Sequence, residues 1–280
     1  MENQPPFEAP ALPQKIGFGA GLLSQKPLRL DVLAARRGQY AVLDKPADLL
    51  FDAYTGAPKQ KSVVQAVRAQ RGKGELERLG VAAPYAVNQI DYEYSGIAVM
   101  ALCKESAAAM RNAEGSGGFK FKYKILTRAY RRGETEFEAD LPLVMHEKRP
   151  VWIVSHRFGK KAKTRFKLAE NLGDYQLWDA ETYSARPHQI RVHAAECGLD
   201  IVGEWIYSKT PYIFLSRLKA EYKLGKNAEE RALYPHLAVH LAEVEISPQA
   251  LGGAGISAAA ELPKGFAAML KKLGGGQPKT

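Results

Sequence analysis

The 280-residue chain is long enough for one large domain or two small ones, and a composition of 46% hydrophobic, 25% charged and 9% aromatic residues excludes disorder throughout. Two cysteines, Cys103 and Cys197, exclude a disulfide scaffold and point to a reducing compartment, and no stretch approaches the roughly 20 apolar residues of a membrane helix. Forty Lys and Arg against thirty Asp and Glu give a net charge of +10, which favours a polyanionic partner, nucleic acid above all, although a solvated basic face gives the same sum.

Residues 1–38 are rich in Pro, Gly and Leu without a clear period. They read as an N-terminal arm, partly ordered or disordered. The polar, proline-rich start does not look like a signal peptide, so a soluble cytoplasmic protein is expected. The segment 39–46 reads as a short strand stopped by Pro46. Val63, Val64 and Val67 suit a helix over 62–71 capped by Ser62. Ile97–Leu102 is a continuous apolar run, read as a buried strand, and a helix over 104–113 is broken by Gly115, Gly117 and Gly118.

Two later strands alternate cleanly. In residues 119–125 the odd positions are apolar and the even ones are Lys120, Lys122 and Lys124. In residues 161–168, Lys161, Lys163, Arg165 and Lys167 share a face. Such faces are either solvated strand surfaces, on which lysine guards against edge pairing, or parts of an RNA-binding surface. Residues 175–182 make another strand. The turn 184–187 then leads to a helix over 188–197 with Pro187 near its start and Gly198 as C-cap. A last strand covers 238–246, and the Gly- and Lys-rich end is expected to fray. Strands mix with short helices without regular βαβ alternation, so the fold class is α+β on a mixed, largely antiparallel sheet. The expected division is an arm over 1–38, a catalytic domain over 39–247 and a C-terminal extension over 248–280.

Asp91 enters an apolar run, which is costly for a carboxylate unless it is paired or caps a turn. Tyr123 points inward with Phe119, Phe121 and Ile125, away from the lysines. Arg191 lies on the 188–197 helix without a clearly polar face. Directed inward it needs a carboxylate, and Asp91 is one candidate. His188, His193 and Cys197 do not share one helical face, and no second Cys pair or H-E-x-x-H motif exists, so no metal is expected. No P-loop, Rossmann glycine fingerprint or G-x-S-x-G elbow is present either.

The order and spacing of several segments resemble the RluA-type RNA pseudouridine synthases. Leu43-Asp-Lys-Pro46 is similar to the family's opening strand. Asn88–Gly96 keeps the Asp, Ser and Gly of H-R-L-D-x-x-T-S-G. Phe121-Lys-Tyr-Lys-Ile125 resembles the tyrosine strand, and Ala162-Lys-Thr-Arg-Phe166 an A-x-T-x-F element. Residues 185–193 and 198–207 resemble G-R-x-H-Q-I-R-x-H and G-x-P-I-x-G-D-x-x-Y. The likeness covers roughly residues 39 to 247. It implies a cofactor-free isomerisation of uridine to pseudouridine, with rRNA or tRNA as the expected partner; a monomer without membrane contact is expected separately, the latter from the lack of a long apolar stretch. In it Asp91 is the catalytic carboxylate, Tyr123 the ring stacked on the base and a possible general base, and Arg191 the ionic partner of Asp91. Asn88, Gln89, Lys122, Lys124, Arg186, His188 and Gln189 form the candidate substrate-binding set. Asn88 and Gln89 replace the family's His and Arg, Tyr94 a threonine, Ala185 a glycine and Glu204 an aspartate, and Asp48 stands where a glycine usually follows the Lys-Pro-Ala element. These departures bear on substrate choice and base flipping. They also raise a second reading, a catalytically silent RNA-binding paralogue or RNA chaperone.

Overall fold

A computed structural model describes residues 11–53, 60–130, 132–219, 222, 229–248, 253 and 255–274. The alternating segments become one sheet of eleven strands. In chain order these are β1 (Lys15–Phe18), β2 (Leu28–Arg36), β3 (Tyr40–Lys45), β4 (Tyr85–Ala86), β5 (Ser95–Ala101), β6 (Phe119–Arg128), β7 (Glu136–Asp140), β10 (Lys163–Asn171), β11 (Tyr175–Thr182), β12 (Val239–Ile246) and β13 (Ile256–Ala259). A separate hairpin pairs β8 (Leu143–Met145) with β9 (Trp152–Val154). The helices are α1 (Val63–Gln70), α2 (Gly74–Arg78), α3 (Lys104–Gly115), α4 (Gln189–Cys197) and α5 (Lys264–Gly274). The sheet runs β1-β2-β3-β5-β12-β6-β11-β10-β7, with β4 added to β5 and β13 to β12.

Every described strand pair is antiparallel except β12 with β5. That parallel pair is close. Gly96 has φ +109°, and a Cβ there would lie 2.2 Å from the Leu241 carbonyl oxygen, so only glycine lets the two backbones meet. Beside it, the Ser95 hydroxyl and His240 Nδ1 are 2.9 Å apart. The main core covers one face of the sheet. Phe119, Phe121, Tyr123 and Ile125 of β6 pack there with Phe166, Trp178 and Val244.

The local signals for helices hold in detail. Ser62 Oγ accepts from Gln65 N while Gln65 Oε1 accepts from Ser62 N, a reciprocal cap on α1. Gly198 ends α4 in the left-handed region, and its N–H donates to Ala195 O.

The two ends differ from expectation. Residues 15–36, read as part of an arm, supply β1 and β2, which extend the sheet beyond β3. Their apolar residues, Ile16, Phe18 and Leu30, face the main core, a pairing that no local period announces. At the other end, β13 pairs with β12, and α5 buries Phe266, Met269 and Leu273 against Leu126, Val202 and Tyr234 in a second core. The fraying expected after Lys271 does not hold for residues 272–274, which continue α5 with Leu273 buried, while residues 1–10 and 275–280, on which the outer arm and the rest of that fraying fall, lie outside the described residues. Among the described residues no helix is long and apolar enough to cross a membrane.

Candidate active site

Asp91 lies in the turn that leads into β5, and α4 starts opposite it. The carboxylate is 2% exposed, and both oxygens accept from the His188 backbone N–H, at 3.0 and 3.2 Å. His188 has φ 57°, a left-handed conformation unusual for a non-glycine residue, and it begins α4. The peptide geometry thus turns an N–H at the positive end of the helix onto the carboxylate. Burial pushes the Asp91 carboxyl above its usual range. The charges of His188 and Arg191 and the backbone hydrogen bond pull it down, while Glu93 pushes it further up.

Arg191 is buried beside this turn, but its bonds go elsewhere than expected. Its Nε and Nη2 donate to the two oxygens of Glu204 at 2.5 and 3.0 Å, and its Nη1 donates to Glu93 Oε1 at 2.8 Å. The direct ion pair with Asp91 is therefore replaced by a side-on pair with Glu204, whose two oxygens match the planar fork of the guanidinium. Arg191 acts on Asp91 only through space. Glu204 is itself fixed by the Ile206 and Tyr207 backbone N–H groups, at 2.7 and 3.2 Å.

Tyr207 joins the two halves. Its ring lies under the Arg191 guanidinium, 5.4 Å from centroid to Cζ. Its hydroxyl accepts from Trp152 N at 3.0 Å and is 2.7 Å from His188 Nδ1. Burial raises the phenol to about 12.

Tyr123 projects from β6 into the same interior and meets the Tyr94 ring edge-on, with centroids 6.0 Å apart and planes at 77°. Burial, with the Asp91 charge adding to it, drives the Tyr123 phenol far above its ordinary value. Below the Asp91 turn lies a residue of the Leu43-Asp-Lys-Pro46 element that sequence reading did not place at the site. Lys45, at the end of β3, is fully buried and donates to the carbonyls of Leu49, Tyr92 and Tyr94 at 2.9, 3.1 and 2.5 Å. Burial lowers its ammonium to about 7 against the opposing pull of Asp48, Asp91 and Glu93. Its sequence signal was the inward alternation of Ala41, Leu43 and Lys45.

A cleft of about 370 Å³ adjoins this cluster. Gln89, Arg111, Trp152, Lys160, Arg186 and Pro187 line it. Gln89 is half-buried in its wall. Arg186 Nε is buried without a hydrogen-bond partner among the described residues. A buried donor left without a partner is uncommon and marks Arg186 as a residue to explain.

The remaining expected binding residues are occupied within the fold. Asn88 Nδ2 donates to Ile97 O at 3.2 Å and its Oδ1 accepts from Val99 N at 2.8 Å, so the amide clips its own turn onto β5. Gln189 Nε2 donates to Lys163 O, Thr164 Oγ1 and Thr182 Oγ1, and its Oε1 accepts from Arg186 N. These amides are structural links rather than free contacts. His193, considered as a metal ligand, places Nδ1 2.9 Å from Thr164 Oγ1 and Nε2 2.9 Å from Leu141 O.

Lys122 and Lys124 lie on the opposite face of the sheet from Tyr123. Lys124 pairs with Asp179 at 2.5 Å and Lys122 with Glu243 at 3.1 Å. The pattern spans five strands. Glu243 and Glu245 of β12 stand opposite Lys122 and Lys120 of β6, and Asp179 and Glu181 of β11 stand opposite Lys124 and Lys122. Arg165 and Lys167 of β10 face Glu181 and Asp179 on one side and Glu138 and Glu136 of β7 on the other. Basic and acidic strands alternate, so this face carries little net charge.

Residues 39–196 match the family described as RNA pseudouridylate synthase. A protein of Chloroflexus aurantiacus named as an uncharacterized RNA pseudouridine synthase is 28% identical over 175 residues, 62% of this chain and 54% of that protein. The ribosomal large subunit pseudouridine synthase D of Zymomonas mobilis is 25% identical over 170 residues, covering 60% and 53%. The dual-specificity RNA pseudouridine synthase RluA of Vibrio vulnificus is 29% identical over 146 residues, covering 48% and 56%. The chain thus spans about half the length of the curated relatives it matches. Human RNA Pseudouridylate Synthase Domain Containing 4 superposes with a TM-score of 0.64 at 18% identity, covering 86% of this chain and 92% of that one, which establishes a shared fold.

Proposed function

Because the chain belongs to the RNA pseudouridylate synthase family, we propose that it isomerises uridine to pseudouridine in ribosomal or transfer RNA, with Asp91 as the catalytic carboxylate. The observation that carries this is the Asp91 carboxylate itself, buried at the start of α4 with both oxygens on one backbone N–H, beside a cleft with an orphaned arginine. A buried acid with no neutralising contact of its own is costly to keep. A role in chemistry accounts for it.

In the reaction the bond from the sugar carbon to uracil nitrogen breaks, the base turns, and the sugar carbon bonds to a ring carbon, which loses its proton while the freed nitrogen ends protonated. The Asp91 carboxylate attacks either the sugar or the base, and both routes need it ionised. The Arg191 charge and the helix N-terminus favour that ionised form. Tyr123 keeps its proton throughout the working range, which suits a wall for the flipped base and a hydrogen-bonding group better than a phenolate base. Arg186 and Lys160 on the cleft supply cations for the RNA backbone, and Gln89 supplies hydrogen bonds to the base or its neighbours.

The test is pseudouridine mapping by carbodiimide labelling in total RNA from cells with and without the gene. The expected result is loss of one or a few sites, restored by the wild type and not by Asp91→Ala. Restoration by Asp91→Ala would remove the carboxylate from the chemistry. An unchanged map would leave an RNA-binding protein without catalysis.

A further inference from the structure

Residues 146–161 form the most basic stretch near the cleft. Lys148, Arg149, Arg157, Lys160 and Lys161 are all exposed against a single acid, Glu147. None of the five makes an ion pair among the described residues. This contrasts with the neutralised lysines of β6. At the tip stands Phe158, 70% exposed, with the Arg157 guanidinium 4.9 Å over its ring.

The loop that carries this exposed ring is fixed. Phe158 N donates to Ser155 Oγ at 3.2 Å, and Gly159 N donates to Ser155 O at 2.8 Å. Ser155 N donates to Pro142 O, and Lys160 and Leu143 exchange backbone hydrogen bonds at 2.8 and 2.9 Å. Gly159 sits so tightly on Ser155 and Pro142 that a Cβ would come within 2.4 Å of the Ser155 carbonyl oxygen. The backbone at the tip is therefore held in place, with the Phe158 ring turned to solvent. Lys160, two residues on, already lines the cleft, as does Trp152 on the paired strand β9. Two residues of extended chain span about 7 Å.

We propose that Phe158, backed by Arg157, is a stacking wedge: its ring enters the RNA stack beside the target nucleotide while the surrounding lysines and arginines hold the phosphates. Apolar and aromatic side chains that part base steps serve this purpose in nucleic-acid binding generally. The stacked ring replaces contacts that the departing base gives up, so it matters only when there is a stack to open. The inference rests on the RNA substrate proposed above.

Two probes test it. Large-subunit rRNA transcribed in vitro is used folded with Mg²⁺ and, separately, cut to short single-stranded fragments. Phe158→Ala is expected to slow pseudouridine formation about 10-fold in the folded RNA and less than about 2-fold in the fragments, with Phe158→Trp restoring the rate. Equal loss on both substrates would make the ring structural, and loss on neither would assign it to another contact, such as a protein. The second probe is an RNA hairpin with 2-aminopurine next to a loop uridine. Its fluorescence is expected to rise on binding the wild type and not Phe158→Ala. This arm is independent of catalysis: a rise confined to the wild type, with no pseudouridine formed on any RNA, would keep the wedge and overturn the proposed reaction. No rise with the wild type would overturn the wedge.

Discussion

Asp91, Arg191 and Glu204, buried, and the half-buried Glu93 form a charge cluster in which one guanidinium serves two carboxylates and leaves the third to a backbone N–H. The consequence is directional. Asp91 holds its proton to higher pH than a free aspartate, whose value is 3.8. The acid limb of pseudouridine formation is expected above the ordinary carboxylate range. Glu93 pushes Asp91 up, so Glu93→Gln should move that limb to lower pH in single-turnover rates, and an unmoved or raised limb would refute the coupling. Stability runs the other way. Between 3.8 and the raised native value the folded state binds the extra proton, so this group's contribution to stability falls as pH rises through that window. Asp91→Asn should therefore be folded and at least as stable as the wild type near pH 7 while inactive, as checked by urea titration alongside the rate. The sequence made the burial of Asp91 and the inward direction of Tyr123 legible through the apolar residues around them. It did not reveal which acid Arg191 would choose, because the choice depends on the side-on fit of Glu204 and on Asp91 meeting His188, 97 residues away.

Among the elements, the β6 face carries the clearest lesson. Its alternation of lysine with apolar residues was readable, and so was the fact that the two faces differ. The charge of the lysine face was not readable, because it depends on which strands lie beside it. β11, β12 and β7 each bring an acidic row into register, and the same positions that look basic along one strand become a neutral ladder across five. Cross-strand pairs of this kind contribute about 0.2–1 kcal/mol each. Lys122→Gln and Lys124→Gln should thus lower stability only slightly. Filter binding of RNA over a range of salt concentrations should give the wild-type affinity and slope for both. A slope reduced in these variants would return the face to the RNA-binding surface.

At the scale of the whole molecule, the sheet extends past the candidate site, and described segments towards both ends, residues 15–36 and 256–274, pack onto it. β1 and β2 widen one edge, while β13 and α5 close a second core over Leu126 and Tyr234. Phe266 is fully buried there and stacks on Tyr234, with centroids 5.2 Å apart. Phe266→Ala should cost about 3–5 kcal/mol in a denaturant titration. A cost near zero would make α5 an appendage.

The sequence by itself determined the period of each strong element, the side of each strand that would face the core, the capped start of α1 and the ends of α4. It also held the spaced segments that mark the family. These follow from interactions among residues a few positions apart, which a linear chain displays directly. Only the tertiary structure decided the partners. It gave Arg191 to Glu204 and Glu93, spent the Asn88 and Gln189 amides within the fold, set Lys45 under the Asp91 turn, and cancelled the lysines of β6 while leaving Lys148, Lys160 and Lys161 without an ion pair among the described residues. The reason is physical. Hydrogen bonds and ion pairs act over a few ångströms, and which groups come within that reach is settled by strand order and register across long separations in sequence.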